Sequence, residues 1–405
     1  MLGKVDGRRI PSNLEVRTGA TVTRIITETL TNGTPEAVAV EYFTNISTVY
    51  QKAILSNGGE AILSAGAIMT PQLLANSGIG RGEHGKVANL SGVGKNVQDH
   101  PVIALGFELN ANLAGKAPSM YTLASEFQNY FSSVEHLRQA KHEANDNKEL
   151  NQWASLLGPI GTAGFSAGAF LKSPWAQYES PDIQLTVFPR VVEPHVIRHD
   201  EVDADNDPYL LESKTMLVTV TLLQPEGRYE IQTPKSIFGT TITADSEIDT
   251  GNVAFGEGFG FRLPTLHLPE NTTSHLTDMD VKRLSWGMEK VRQILSFDPL
   301  KNLTQGELYP GSNVVGSELW NYIRANHLTN SHWVGSTKMG SADDPMAVVD
   351  ERLRVRGVES LRVVDAGVIP HIPNGNTHST VCVVASRAAE MIIADRSHSI
   401  RSSQK

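Results

Sequence analysis

The chain has 405 residues, 40% hydrophobic and 20% charged, enough to bury one large core or two ordinary ones. Its 35 basic and 44 acidic residues leave a net charge of -9, which gives no general attraction to phosphate backbones or anionic membranes and argues against nucleic acid as a partner. The single cysteine, Cys382, excludes an intramolecular disulfide and a zinc ribbon, and its neighbours Val381, Val383 and Val384 make it a core filler by composition.

The polar N-terminus MLGKVDGRRIPS lacks a signal-peptide core, and no run approaches the roughly 18–20 apolar residues that span a bilayer, so no membrane span is expected. Sequons at Asn45, Asn89, Asn271 and Asn302 leave secretion of a longer form open. The opening is β-rich: LEVRTGATVTRII and AVAVEYFT are β-branched runs separated by Gly, Thr and Asn turn chemistry, and AILSAGA is a third apolar strand. From Pro101 the texture changes to VIALGFEL, a polar and helical insertion through Asn151, the glycine-rich GPIGTAGFSAGAF, and the strands IQLTVF and MLVTVTLL. A helix follows from Val281, Leu284, Met288, Val291 and Leu295, with Thr277 and Asp280 as a capping box. A second helix is expected after Pro370, starting near Thr377 to Thr380 and placing Val381, Val384, Ala388 and Met391 or Ile392 on one face.

Residues 66 to 80, GAIMTPQLLANSGIG, fit a known signature at Gly66, Ala67, Thr70, Pro71, Leu73, Leu74, Ser77, Gly78, Ile79 and Gly80. The small residues let a backbone approach a planar or pyrophosphate ligand, and the Thr-Pro pair is expected to start a helix. VGKNVQDHP (93 to 101), NSHWVGSTKMG, and LRVVDAGVIPHIPNGNTHSTVCVVASRAAEMI follow in order and spacing. Together they resemble the glucose–methanol–choline (GMC) oxidoreductases, with their VGxNLQDH, HxxGTxxMG and LRVVDAS patterns, and in wording come closest to the flavodehydrogenase domains of cellobiose dehydrogenases.

The resemblance implies an FAD-dependent oxidoreductase acting on CH–OH groups of a small-molecule alcohol. His332 falls on the family's catalytic histidine, a residue whose ordinary pKa near 6.5 keeps it substantially neutral at physiological pH. Asn376 matches the partner position that fixes the substrate hydroxyl, and a helix N-cap is its alternative role. Asp365 and Ala366 match the turn that meets the cofactor near its pyrophosphate and ribityl chain, against a plain strand-ending Asp. Val22 lies where the family's backbone meets the adenine ring, its side chain read as core, and His378 is placed at the isoalloxazine edge. His100 and His371 are read as structural. Ser336 stands where Thr is usual, and Gly367 where Ser is common.

A complete family member begins with a strand, a GxGxxG turn and a helix that hold the pyrophosphate. That unit is expected to be missing, the nearest candidate, Gly256, Gly258 and Gly260, having the wrong spacing and context. The implied fold class is therefore α/β and α+β: the remainder of a three-layer FAD-binding domain without its N-terminal Rossmann unit, plus an antiparallel-sheet substrate domain with helices. Its expected boundaries are 1–100 for the partial FAD-binding domain, 101–335 for the substrate domain, 336–396 for the return to the FAD-binding domain, and 397–405 for a tail. The chain then reads as an N-terminally truncated form that needs the missing half for activity. A hydroxynitrile lyase on the same fold and a non-catalytic relict interaction domain remain as alternatives. Sugar, aryl alcohol, polyol and choline stay open as donors, and dioxygen, a quinone or a haem as acceptor.

Overall fold

The β-branched opening folds as a three-stranded antiparallel sheet in the computed structural model, which describes residues 4–5, 8–9, 11, 13–44, 47–110, 112, 167–191, 215–232, 265–267 and 276–403. Its strands are β1 (Ala20–Thr29), β2 (Pro35–Thr44) and β3 (Ser47–Ile54), paired in that order. On β1 the period of two turns Thr23 and Ile25 inward and Val22 and Arg24 outward. The Val22 side chain is therefore not core, as the sequence suggested, but 41% exposed, beside a bulge where the register shifts between Val22 and Arg24.

Strand β4 (Ala61–Leu63) leads through Ser64 and Ala65 into α1 (Gly66–Asn76). The Thr-Pro pair does not open this helix: α1 already begins at Gly66, and Pro71 lies inside it. Ser77 closes α1 by donating its hydroxyl to Leu73 O at 2.7 Å while accepting the Ile25 N–H at 2.8 Å, which fastens the helix to β1.

The next strands build a separate sheet. They are β5 (Pro101–Leu109), β6 (Ala167–Leu171), β7 (Ile183–Val191) and β8 (Thr215–Leu222). The expected helical insertion before β6 lies outside the described residues. Helix α2 (Asp278–Leu295) follows, then β9 (Thr304–Tyr309), α3 (Gly316–Asn326) and the short β10 (Leu328–Thr329). All six strands form one antiparallel sheet in the order β6-β7-β8-β5-β9, with β10 also pairing β5. Val281, Leu284, Met288 and Val291 of α2 pack with Ile103, Leu105, Ile183, Val220, Leu319 and Ile323 into its core. A Cβ on Gly287 would lie 2.5 Å from Val220 Cγ1, so only glycine lets α2 settle this close to β8.

The expected capping box is present, with Thr277 accepting the Asp280 N–H and Asp280 accepting the Thr277 N–H, both at 3.1 Å. Replacing Thr277 by Ala should cost about 1 kcal/mol, read as a lowered urea midpoint of this unit, and an unchanged midpoint would remove the cap from its stability.

The chain ends with β11 (Leu361–Val363) and the long α4 (Thr377–Ser403). Strand β11 lies parallel to β4, pairing Leu361 with Ala61 and Val363 with Leu63. The expected tail beyond residue 396 continues α4 to Ser403. Along α4, Thr377 and Ala388 are buried and Val381, Val384, Met391 and Ile392 half-buried, as the spacing predicts. Cys382 corrects the compositional reading: it is exposed, because it lies about 100° around the helix from Val381.

The chain divides into two compact units, one made of Met1–Asp99, Arg228–His275 and His332–Lys405, the other of His100–Gly227 and Leu276–Ser331. Where the sequence suggests a single block from 101 to 335, the segment 228–275 groups with the first unit, whose Tyr229 bridges Val97. No helix among the described residues is long and apolar enough to cross a membrane.

Candidate active site

All the sequence-derived site residues belong to the first unit. Asp365 stands two residues beyond the end of β11. Its carboxylate accepts the Gly66 N–H at 3.0 Å and the Thr70 hydroxyl at 2.6 Å on Oδ2, and the Gly367 N–H at 2.8 Å on Oδ1. One side chain thus locks the GAIMT signature to the VVDAG signature, nearly 300 residues apart, and sets where α1 begins. Burial pushes the Asp365 pKa up against these hydrogen bonds.

The role is internal. Asp365 caps the short 3-10 turn Ala366–Val368 with its side chain, so any cofactor contact falls to the backbone of this turn and to Ala366, which is partly exposed. Asn would keep an acceptor but set its amide hydrogens against at least one buried N–H. Asp365→Asn should therefore destabilise by about 1–2 kcal/mol. Because the folded pKa is raised, the native state holds the proton more tightly, so the wild-type advantage is largest in acid and shrinks as pH rises through the raised value. Equal urea midpoints across that range would contradict the hub.

His332 sits on the segment between Ser331 and Gly340, which contains no regular strand or helix. Its N–H donates to Asp99 Oδ1 at 2.7 Å, and Asp99 is 2% exposed. Next to it, Trp333 is buried and stacks edge-on against Tyr229, with ring centroids 5.2 Å apart. His332 itself is half-buried, and burial lowers its pKa from the ordinary 6.5. Its imidazole is therefore neutral at physiological pH, the state a proton acceptor requires.

Asn376 directly precedes α4, in the helix N-cap position, and is exposed, as is His378 in the first turn. His378 Nε2 lies 3.7 Å from Cys382 Sγ. The His332 and Asn376 segments meet through their neighbours: Val334 packs with Ile369, Ile372, Val381 and Val384, the last two on the first turns of α4. Val22 belongs to the same unit, on β1. Of the two histidines read as structural, His100 is fully buried and His371 is exposed.

Sequence reasoning passed over Gln98 and Asp99, which brace this region from the VGKNVQDHP segment, although the motif itself contained the signal. It also passed over a literal GxGxxG at Gly80, Gly82 and Gly85. The structure rules that pattern out as a phosphate cradle: Gly80 ends a two-residue strand, and the rest forms a 3-10 turn in place of a helix N-terminus. A Cβ on Gly85 would lie 2.8 Å from Gly80 O, so this glycine serves its own loop. Gly256 to Gly260 lie outside the described residues.

With this geometry in place, comparison with known proteins decides the family. Two models described as GMC oxidoreductase match residues 8–102 and 266–385, together more than half of the chain. The chain belongs to the GMC oxidoreductase family. FAD is the cofactor of this family. Fatty acid photodecarboxylase of Chlamydomonas reinhardtii is 29% identical over 94% of this chain and 57% of its own length. Mitochondrial choline dehydrogenase of Homo sapiens is 29% identical over 94% of this chain and 54% of its own length. The chain thus spans about half the length of the curated relatives it matches. Among solved structures, pyridoxine 4-oxidase from Mesorbium loti (TM-score 0.62, 19% identity) and formate oxidase (TM-score 0.65, 19% identity) share the fold over 94% of this chain and 58% and 60% of theirs.

The match of the N-terminal GMC model to residues 8–102 narrows the expected loss: that part of the N-terminal GMC domain is present here. The residues present fit FAD. After β4 the backbone is bare, with Ser64 and Ala65 exposed and Gly66 at φ +86° with nothing within 4 Å of where its Cβ would stand. The Gly375 turn before α4 is open in the same way and leads into a helix N-terminus, which favours negative charge.

Proposed function

We propose that this protein is an FAD-dependent oxidoreductase of small-molecule alcohols, with His332 accepting the hydroxyl proton and Asn376 holding the hydroxyl for transfer. The observation that carries the proposal is His332 itself: a half-buried imidazole kept neutral by its surroundings, its backbone tied to buried Asp99. Its segment packs through Val334 onto the helix that Asn376 begins. The first unit is then the FAD-binding part, and the unit with the six-stranded sheet binds substrate. Within the first unit, the backbone at Val22 serves the adenine end, the Ser64–Gly66 and Asp365–Ala366 turns serve the middle of the cofactor, and Asn376 and His378 border the ring. A phosphate-cradling unit outside the described residues completes the hold: β4 pairs only with β11 among them, and a two-stranded sheet is marginal by itself.

Bound FAD supplies the acceptor for the hydride that leaves the carbinol carbon. The Asn376 carboxamide can hydrogen-bond the substrate hydroxyl and fix its direction. His332 takes the hydroxyl proton as the carbonyl forms, becomes imidazolium, and returns the proton to solvent. Mixing the FAD-loaded protein anaerobically with primary alcohols, choline and aldoses tests the reading. Loss of oxidised-flavin absorbance with one carbonyl product per flavin is expected. An unbleached flavin beside cyanohydrin cleavage would instead mark a lyase, and a folded, colourless protein indifferent to added FAD a relict.

The pH dependence has a definite sign. Since burial lowers the His332 pKa, the rate of flavin reduction should rise with pH along a limb centred below 6.5 and stay flat through neutrality. A limb centred above about 7 would exclude His332 as the base.

A further inference from the structure

Gln98 is 1% exposed and far too well connected for a residue that merely fills space. Its backbone pairs with Val334 in both directions at 3.0 Å, two residues beyond His332. Its side-chain amide reaches the other way, donating to Pro370 O at 3.0 Å and to Asn96 O at 3.3 Å and accepting the Ile372 N–H at 3.2 Å. Pro370 and Ile372 stand on the turn that leads to Asn376. One residue therefore holds both halves of the site, by backbone on the His332 side and by side chain on the Asn376 side.

We propose that Gln98 is a positioning residue that sets the separation of His332 and Asn376. The inference rests on the reading of those two residues as the catalytic pair. The apolar packing of Val334 on Ile369, Ile372, Val381 and Val384 brings the segments together, but apolar contact has no direction and permits sliding. A buried amide that both donates to and accepts from the same turn admits one register only. The surroundings leave no slack. Gly335 has φ +89°, and a Cβ there would lie 2.4 Å from Asn96 O and 3.0 Å from Gln98 Nε2. Asn96 adds a second donor to Pro370 O at 3.1 Å. A shift of about 1 Å between reacting groups can cost on the order of 100-fold in rate, so the register matters for chemistry beyond its worth in stability.

The test uses FAD-loaded wild type, Q98M, Q98E and H332A with whichever alcohol, choline or aldose reduces the wild-type flavin fastest, all rates taken per bound flavin. Q98M should lower the limiting rate of flavin reduction about 10- to 100-fold and change KM by less than about threefold. Q98E should recover as pH falls, because a protonated Glu again offers one donor and one acceptor to the turn. Its rate relative to wild type at the same pH should climb at least about fivefold from pH 8 to 5.5, while the Q98M ratio stays flat. Q98M within twofold of wild type, or a flat Q98E ratio, overturns the proposal. Should Q98M fail to fold, the Q98E ratio decides alone. H332A separates the two readings: if it keeps the wild-type rate, the pair itself is misassigned, whereas a crippled H332A beside an unimpaired Q98M refutes only the role of Gln98.

Discussion

Replacing His332 by Ala should slow flavin reduction by an alcohol about 10²- to 10⁴-fold while leaving the bound flavin and its oxidised spectrum in place. The size follows from the role. A base that takes the hydroxyl proton acts in the transition state, so its removal lowers kcat and kcat/KM together instead of raising KM. Retained FAD is expected because the tie between His332 and its surroundings runs through the backbone N–H to Asp99, which Ala preserves. The acid limb of the pH profile should vanish with the imidazole, and added imidazole should restore part of the rate. A variant within tenfold of wild type, or one whose acid limb persists, would transfer the role of base to another group.

The apolar spacing of α2 and its Thr277–Asp280 cap were readable because they are local: every residue that defines them lies within five turns of one helix. The strands were readable for the same reason. What escaped was long-range. That α1 starts at Gly66 and not at the Thr-Pro pair depends on a carboxylate 299 residues away, and no window of sequence contains both. Cys382 looked buried because its neighbours are valines, yet helical periodicity, not neighbourhood, decides which side faces in. Val22 went the same way through a bulge that alternation alone cannot place. The candidate site residues came from motif likeness, whereas Gln98 and Asp99 became meaningful only when the fold laid them against the His332 segment.

Arg283→Ala should destabilise the six-stranded unit by about 3–5 kcal/mol, more than any single apolar truncation on its surface. Arg283 lies on α2 with its side chain 3% exposed, and its guanidinium is spread over the interior of that unit. Nε donates to Trp175 O and Nη1 to Gln224 O, both at 3.0 Å, and Nη2 donates to Glu226 Oε1 at 2.9 Å. Asp182 and Asp280, both fully buried, stand 3.8 Å from it as ion-pair partners. Each has other bonds: Asp182 accepts from the Ser173 N–H and hydroxyl at 2.6 Å, and Asp280 holds the α2 cap and accepts the Glu226 and Gly227 N–H groups. Those bonds keep the carboxylates in place but cannot supply positive charge, and burial already pushes the Asp280 pKa up with Arg283 present. Removing the guanidinium leaves buried negative charge without its counterion, which is the costly half of breaking a buried pair. Arg283→Lys should recover less than half of the loss, since one ammonium cannot reach Trp175 O, Gln224 O and Glu226 together. The measurement is urea unfolding followed by Trp175 and Trp286 fluorescence, both residues reporting from this unit. An Ala variant within about 1 kcal/mol of wild type would mean that Asp280 is protonated in the native state and that the cluster needs no counterion. In that case the wild-type midpoint would also fall as pH rises from about 4 to 7, because the folded state would keep a proton that the unfolded chain releases.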